Sequence, residues 1–248
     1  MCLLICIRSE DGSLVLAANR DEYYDRPAKA PFVWDRRPRV LAGQDLRSGG
    51  AWLALNEHGV VAAVTNRPTA GGEEAARPSR GTLPLLATGH ASAREAELAM
   101  REHLARTRYN AFNLLVADCD HAFLVQAPGP VAQFLPVLPG RHVVGNGEWD
   151  DIADVRVQHA RALLARRLEE SADKPRAIAV LQGICRDHTP PAGGLPLCIH
   201  GHEAGTVSST ILYVTEVRRM DRYLHVQGPP CQGEYHGFQI SDFGFQIE

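Results

Sequence analysis

A cysteine and a charged tetrad near the start of the chain could together perform nucleophilic chemistry. Cys2 follows the initiator methionine and is small enough to allow its removal. The mature chain would then begin with a thiol and a free α-amine, and an amine with a pKa of about 7.7 to 8.0 is a usable general base. Arg20 would favour the thiolate, and Asp21 could hydrogen-bond the amine. The alternative is that Cys2 begins a strand and residues 19–22 form a polar turn.

A β-hairpin is the element that must bring these residues together. Apolar residues 3–7 and 14–18 flank Asp11-Gly12, a dipeptide typical of tight hairpin turns. With Asp11 and Gly12 as the two central residues, Cys2 lies opposite Asp21, whereas a slip of one or two residues puts it opposite Arg20 or Asn19. In each register the thiol lies beside an arginine and an aspartate.

Composition excludes several classes of function. The 248 residues are 45% hydrophobic and 22% charged with a net charge of −3, which is ordinary for a globular protein and gives no attraction to nucleic acid. The longest apolar runs are too short to span a bilayer, and no secretory signal is recognisable. Six cysteines are too few for a disulfide scaffold. We expect a cytoplasmic protein with reduced thiols, no stable membrane insertion and a small-molecule substrate or ligand; the sequence leaves the oligomeric state open.

The order of predicted elements is strands, helices, then strands, which favours a mixed α+β fold in a single domain, residues 1–248. The predicted strands are residues 3–7, 14–18, 51–55, 60–65, 112–117, 122–126, 131–138, 141–144, 206–217, 223–226 and 237–247. The predicted helices are residues 83–90, 96–106, 152–170 and 176–185. Ser92 with Glu95 forms a capping-box pattern ahead of the second helix, and Pro175 suits the first turn of the fourth. Residues 23–39 are expected to form an irregular surface segment, and residues 69–81 a mobile lid.

Several short motifs occur in order along the chain: Met1-Cys2, residues 19–22 with Arg26-Pro27, residues 49–53, Thr65-Asn66, residues 109–114, Gly145-Asn146, and residues 205–210. Together they resemble the NRDE family, whose animal members are called transport and Golgi organisation protein 2. These motifs cover nearly the whole chain, and the tetrad at its spacing from Met-Cys is the most specific of them.

The resemblance implies a fold and a set of site residues. Its fold is similar to that of N-terminal nucleophile hydrolases, a four-layer αββα sandwich of two antiparallel sheets between helical layers. Within that superfamily it points to the cysteine branch that includes penicillin V acylase and bile salt hydrolase. The implied catalytic residues are Cys2 as nucleophile, Arg20 and Asp21 as the pair that tunes it, and Asn66 and Asn146 as orienting groups or oxyanion donors. A purely structural role is the alternative for both asparagines, since Asn146 between two glycines fits a tight turn equally well. We expect substrate contacts from Asn19, Glu22, Trp52 and Arg67.

One position departs from the family pattern. Relatives commonly carry Thr-Arg before the Ser/Thr run, but this chain has Val207. If that arginine contacts substrate or nucleophile, Arg67 or Arg80 would have to replace it. An inactive relative on the same scaffold is therefore a further possibility.

Two ligand hypotheses stand beside hydrolysis. The resemblance also points to haem trafficking, which would make the protein a non-catalytic carrier of haem, with a cysteine or histidine as axial ligand, or of a lipid metabolite on the same scaffold. A second hypothesis concerns zinc, because five possible ligands lie within 18 residues: Cys185, His188, Cys198, His200 and His202. Their spacing matches no standard zinc motif, so we predict a histidine-rich surface loop, no metal and no resident cofactor.

Overall fold

The computed structural model describes residues 2–69, 71–169, 173–217 and 220–238. Its strands are β1 Cys2–Arg8, β2 Leu14–Tyr23, β3 Ala28–Trp34, β4 Val40–Asp45, β5 Leu53–Asn56, β6 Val61–Asn66, β7 Phe112–Ala117, β8 Ala122–Ala127, β9 Gln133–Pro136, β10 Gly140–Val144, β11 Ala204–Val214, β12 Met220–Gln227 and β13 His236–Phe238. Its helices are α1 Thr82–Ala87, α2 Ala93–Arg106, α3 Val155–Arg167 and α4 Lys174–Cys185.

Two antiparallel sheets form the centre of the molecule. Within the described ranges, one sheet has the strand order β10-β1-β2-β11-β12-β13 and the other β3-β4-β5-β6-β7-β8-β9. Every strand pair in both sheets is antiparallel. In the first sheet, β2 lies between β1 and β11, so the N-terminal hairpin is central rather than at an edge.

Three apolar cores divide the molecule into four layers. One core lies between the sheets and joins Leu4 and Leu16 of one to Leu55 and Leu115 of the other. A second lies between the first sheet and helices α3 and α4, and a third between the second sheet and helices α1 and α2. Because side chains alternate across a strand, β1 and β2 contribute residues to both faces of their sheet. The predicted α+β fold, a four-layer αββα sandwich, is confirmed.

Local sequence signals define the helix starts. The Ser92 hydroxyl accepts a hydrogen bond from the Glu95 backbone N–H, as the predicted capping box requires. The Glu95 carboxylate accepts one from the Ala91 N–H, one residue before the Ser92 N–H that a capping box uses. Pro175 lies in the first turn of α4, where its missing N–H costs nothing. None of the described helices is long and apolar enough to cross a membrane.

The segment predicted to be irregular, residues 23–39, contains the strand β3. β3 pairs with β4 at the edge of the seven-stranded sheet, with a register shift between Lys29 and Phe32. Pro31 lies within that shift, where its missing N–H removes no regular ladder bond. The prediction treated proline and aromatics as loop signals, and an edge strand tolerates both. The predicted strand 237–247 is described only to Phe238; the remainder lies outside the described residues.

The turn of the N-terminal hairpin has three residues, not the predicted two. Ser9 and Ser13 face each other, joined by a hydrogen bond of 2.9 Å from the Ser9 N–H to the Ser13 carbonyl. Gly12 has φ +84°, and a Cβ there would lie 2.0 Å from the Cys119 carbonyl oxygen. A turn followed by one glycine in the left-handed region is the usual three-residue loop. The register therefore shifts by one residue, and Cys2 faces Arg20 rather than Asp21.

Candidate active site

The side chain of Cys2 opens into a cavity at one end of the gap between the sheets. The cavity has a volume of about 90 Å³, and its walls include Arg20, Trp52 and Asn66. The Cys2 sulfur accepts a hydrogen bond from the backbone of Asp21. Burial raises the pKa of the Cys2 thiol above its usual range, against the opposing effect of Arg20. The thiol is therefore neutral at pH 7, and its reaction as a nucleophile requires a base.

Arg20 lies on the same face of the sheet as Cys2 and is buried. Its Nη2 donates to Oδ2 of Asp45 at 2.9 Å, and its guanidinium lies 4.6 Å from the ring centroid of Trp52. Trp52 reaches this position because residue 43 is glycine: a Cβ there would lie 2.6 Å from the indole. An arginine held by a carboxylate and an aromatic face is fixed in orientation.

Asp45 lines the cavity and accepts the hydrogen bond from Arg20, and no local pattern in the sequence indicated it. Its Oδ2 also accepts from Nε of Arg26 at 2.6 Å, and its Oδ1 accepts from the Ser48 N–H and hydroxyl at 2.8 and 3.0 Å. Burial alone would raise the pKa of Asp45, but the hydrogen bond from Arg26 and those from Ser48 hold it below its usual range. Asp45 is therefore ionised at neutral pH, and its carboxylate orients Arg20.

The Asp21 carboxylate contacts the helical layer on the other side of the sheet. Its Oδ2 lies 2.7 Å from Nη2 of Arg156 on α3, and its Oδ1 accepts from the Thr206 hydroxyl at 2.6 Å. Burial raises the pKa of Asp21, an effect that Arg156 and Thr206 oppose. Arg156 also donates to the Leu197 carbonyl at 2.9 Å. Thus the aspartate next to the thiol is fixed by one helix and one strand, which the sequence did not predict.

Asn19 was expected to contact substrate, but its side chain lies on the helical face of the sheet. Its amide donates to the carbonyls of Cys185 and Leu197 at 3.0 and 2.9 Å, and the residue is buried. The expectation overlooked the alternation of the strand, which puts Asn19 and Arg20 on opposite faces. Asn19 thus ties β2 to the end of α4. Glu22 does line the cavity, and its Oε2 lies 3.6 Å from Nε of Arg26.

The two candidate oxyanion donors lie side by side. Asn66, at the end of β6, lines the cavity, and the Asn146 amide donates to the Asn66 backbone carbonyl. Asn146 thus holds the backbone of Asn66 in place. The structure brings Cys2, Arg20 and Asn66 together around the cavity, and Asn146 contacts this group through Asn66.

Arg67 is directed away from the cavity, contrary to the expected substrate contact. Its guanidinium donates to Oδ1 of Asn113 at 3.2 Å and to the Glu148 carboxylate. Arg80, the other candidate to replace an arginine at position 207, does line the cavity and donates to the Ala111 carbonyl at 3.0 Å. Val207 itself lies where the pairing of β11 with β2 shifts register. Of the two arginines that the sequence offered as replacements, Arg80 is therefore the one that lines the cavity.

The segment predicted as a lid covers part of the cavity. Ser79, Arg80 and Gly81 form one wall, and the Gly81 carbonyl accepts a hydrogen bond from Ala51 at 2.8 Å. Asn110 bonds the backbone of Glu74 in both directions, at 2.9 and 3.1 Å. The segment is thus attached at its middle and at its end. Its mobility stays a prediction.

Known proteins share parts of this sequence. The sequence profile of the Transport and Golgi organisation 2 family matches residues 1–225. The chain belongs to this family. A Transport and Golgi organization protein 2 homolog from Bos taurus is 38% identical over 111 residues, which is 42% of this chain and 38% of that protein. The homolog from Homo sapiens is 35% identical over 114 residues, 44% of this chain and 40% of that protein. The matched stretch spans about two fifths of each relative.

Solved structures similar to this Transport and Golgi organisation 2 family member are hydrolases. An N-acylethanolamine-hydrolyzing acid amidase ortholog from Caenorhabditis elegans has a TM-score of 0.60 at 16% identity, covering 92% of this chain and all (100%) of that one. A variant of the conjugated bile acid hydrolase from Clostridium perfringens has a TM-score of 0.53 at 11% identity, covering 96% and 97%. Penicillin V acylase from Agrobacterium tumefaciens has a TM-score of 0.52 at 13% identity, covering 91% and 83%. At such identities the likeness shows the shared N-terminal nucleophile hydrolase fold.

Proposed function

We propose that the chain is an N-terminal cysteine hydrolase that cleaves a linear carbon–nitrogen amide bond of a small acylated metabolite. The observation that carries the proposal is the cavity in which the Cys2 thiol, the fixed Arg20 guanidinium and Asn66 meet. The hydrolase fold supports it. The proposal requires that Met1 is removed, so that Cys2 bears a free α-amine.

The first half of the reaction transfers the acyl group to sulfur. The α-amine takes the proton from the neutral Cys2 thiol while the sulfur attacks the amide carbonyl carbon. The carbonyl oxygen becomes an oxyanion, which the Asn66 side-chain amide would stabilise. The carbon–nitrogen bond then breaks, the leaving nitrogen takes the proton from the α-ammonium, and a thioester on Cys2 remains.

The second half returns the enzyme to its starting state. The α-amine takes a proton from water, whose oxygen attacks the thioester carbonyl. The carbon–sulfur bond breaks, sulfur recovers its proton from the α-ammonium, and a carboxylic acid leaves. One water is consumed and one amine and one acid are formed.

The size of the cavity limits what the site accepts in this conformation. Pockets for drug-sized ligands usually have volumes of about 300 to 1,000 Å³, whereas this one has about 90 Å³. It admits the reacting end of a substrate, with the remainder outside along the wall formed by Ser79, Arg80 and Gly81. The haem alternative gains no support from this cavity, because a porphyrin ring is larger than the volume of about 90 Å³.

The test combines the mass of the chain with labelling of the thiol. Intact-mass measurement should show loss of Met1, and an electrophilic acyl probe should then add once, at Cys2. Turnover of a panel of N-acyl amides should be abolished in Cys2→Ala. Cys119→Ser is the matched control, because Cys119 is also buried but lies beside Gly12 at the far end of the hairpin. Retention of Met1 in protein that hydrolyses amides would refute the mechanism, as would equal labelling of Cys2→Ala.

A further inference from the structure

Three metal-binding side chains far from Cys2 in sequence converge at one point. Cys198 and His200 lie before β11, and Cys231 lies in the turn after β12. Sγ of Cys198 is 3.6 Å from Sγ of Cys231 and 3.8 Å from Nε2 of His200, and Nε2 of His200 is 3.1 Å from Sγ of Cys231. The two cysteines are free thiols.

These separations are close to those required by a tetrahedral zinc ion. With bonds of about 2.3 Å to sulfur and about 2.05 Å to nitrogen, tetrahedral ligands lie about 3.8 Å apart for two sulfurs and about 3.6 Å apart for sulfur and nitrogen. The observed sulfur–sulfur separation of 3.6 Å and the sulfur–nitrogen separations of 3.8 and 3.1 Å lie within about 0.5 Å of these values. The Cys231 backbone also hydrogen-bonds the Cys198 sulfur, which holds the two cysteines together.

We propose that Cys198, His200 and Cys231 bind one Zn²⁺, with a solvent oxygen as the fourth ligand on the exposed side of His200. The predicted histidine-rich cluster thus contributes only two of these ligands. Of its other members, Cys185 hydrogen-bonds Ser209 and Tyr235 in the helix–sheet core. The third ligand is Cys231, which the local spacing of the cluster does not include.

The backbone around the three ligands is held in place without a metal. The guanidinium of Arg186 donates to the carbonyls of Pro230 and Gly233, at 2.9 and 3.3 Å, which fixes the turn containing Cys231 against the end of α4. The Cys198 N–H donates to the Asp187 carbonyl at 2.8 Å. The backbone at both cysteines is therefore hydrogen-bonded to the same short segment, residues 186–187. This prior arrangement lowers the cost of binding an ion.

The ligands also connect to the candidate active site. The Ile199 N–H donates to the Thr206 hydroxyl at 2.8 Å, and that hydroxyl donates to Asp21. Zinc would link the turn of residues 229–235, through Cys231, to residues 198–200, whose backbone hydrogen-bonds Thr206. The proposed ion is thus a structural clamp behind the aspartate, not a participant in the reaction.

Metal content of the untagged full-length chain is the first test. Protein prepared with zinc and reductant, then dialysed, should retain about one zinc per chain by mass spectrometry of the elements. Cys231→Ser and His200→Ala should lose it, and Cys119→Ser should keep it. With Co²⁺ in place of zinc, thiolate-to-cobalt charge-transfer absorption should appear in wild type and be absent in Cys231→Ser. Absence of bound metal in wild type, or loss of zinc in Cys119→Ser, would overturn the proposal.

A second measurement uses the wild-type chain alone and so does not depend on the folding of variants. Zinc should protect the partly exposed Cys231 from alkylation, a chelator should restore its reactivity, and Cys2 should react equally in both states. Peptide mapping without reductant identifies the competing outcome, a Cys198–Cys231 disulfide. Alkylation of Cys231 at the same rate with and without zinc would refute the site.

Discussion

At the scale of single residues, the candidate site depends on two buried ion pairs that hold β2 from opposite faces. Arg20 pairs with Asp45 between the sheets, and Asp21 pairs with Arg156 on the helical side. The strand places adjacent residues on opposite faces, so each neighbour of the thiol is fixed by a different layer. Removing one partner leaves a buried charge, which is costly.

Arg156→Met should therefore destabilise the protein by about 3–5 kcal/mol, because it leaves the Asp21 carboxylate buried without its cation. Asp21→Asn combined with Arg156→Met should recover part of that loss, since no buried charge remains. The measurement is the free energy of unfolding in urea for the four members of the cycle. Additive effects of the two substitutions would mean that the contact contributes no coupling.

Asp45 gives a prediction for the dependence of stability on pH. Its folded pKa lies below the ordinary value of 3.8, so its stabilising contribution is present above about pH 4 and is lost as the pH falls through the folded pKa. The difference in unfolding free energy between wild type and Asp45→Asn should shrink as the pH falls from about 5 to about 3. The comparison with the variant is needed because the pKa of Asp21 is raised, which gives the opposite slope. A difference that is constant with pH would contradict the assignment.

At the scale of elements, the N-terminal hairpin determines where the thiol lies. The Asp11-Gly12 signal located the turn, and the three-residue loop changed the register by one. That change follows from Gly12, which packs against the Cys119 carbonyl in the turn between β7 and β8 of the other sheet. A two-residue pattern in the sequence carries no information about such a distant contact.

Gly12→Ala should lower the unfolding free energy by more than the cost of a positive φ for alanine. A positive φ costs a non-glycine residue about 1–2 kcal/mol, and here the new Cβ would also meet a carbonyl oxygen. Gly193→Ala is the matched control, with φ +76° and open space around the Cβ position. The unfolding free energy should fall further in Gly12→Ala, and reaction of Cys2 with an acyl probe should slow only in that variant. Equal losses in the two variants would mean that the contact with Cys119 relaxes freely.

The same elements show what the sequence could predict. Local signals, such as the Ser92 capping box and Pro175, correctly located helices α2 and α4. The partners of the site were not predictable in this way: Thr206 bonds an aspartate 185 positions earlier, and Asp45 lies in a strand that no local pattern indicated. Alternation along β2 was readable, however, and would have placed Asn19 and Arg20 on opposite faces. Contacts set by packing of whole layers need the fold first.

At the scale of the whole molecule, the core between the sheets is shared by both halves of the chain. Leu16 of the six-stranded sheet and Leu55 of the seven-stranded sheet belong to one buried cluster. Neither sheet can expose its inner face without exposing the other, so the chain of 248 residues should unfold as one domain. This cooperativity matters for the site, because Cys2 and Arg20 come from one sheet while Asp45 and Asn66 come from the other.

Two tryptophans allow the sheets to be followed separately. Trp34 lies in β3 and donates to the Ala42 carbonyl at 3.0 Å, and Trp149 pairs with Val144 at the end of β10. Variants that keep only one of these indoles, with the other tryptophans replaced by phenylalanine, should show the same urea midpoint by fluorescence. Leu16→Ala, added to each, should lower the unfolding free energy by about 2–5 kcal/mol and shift both midpoints together, because the cavity opens in the shared core. Separate midpoints, or a shift confined to Trp149, would mean that the two sheets are independent units and that the site lies at an interface between them.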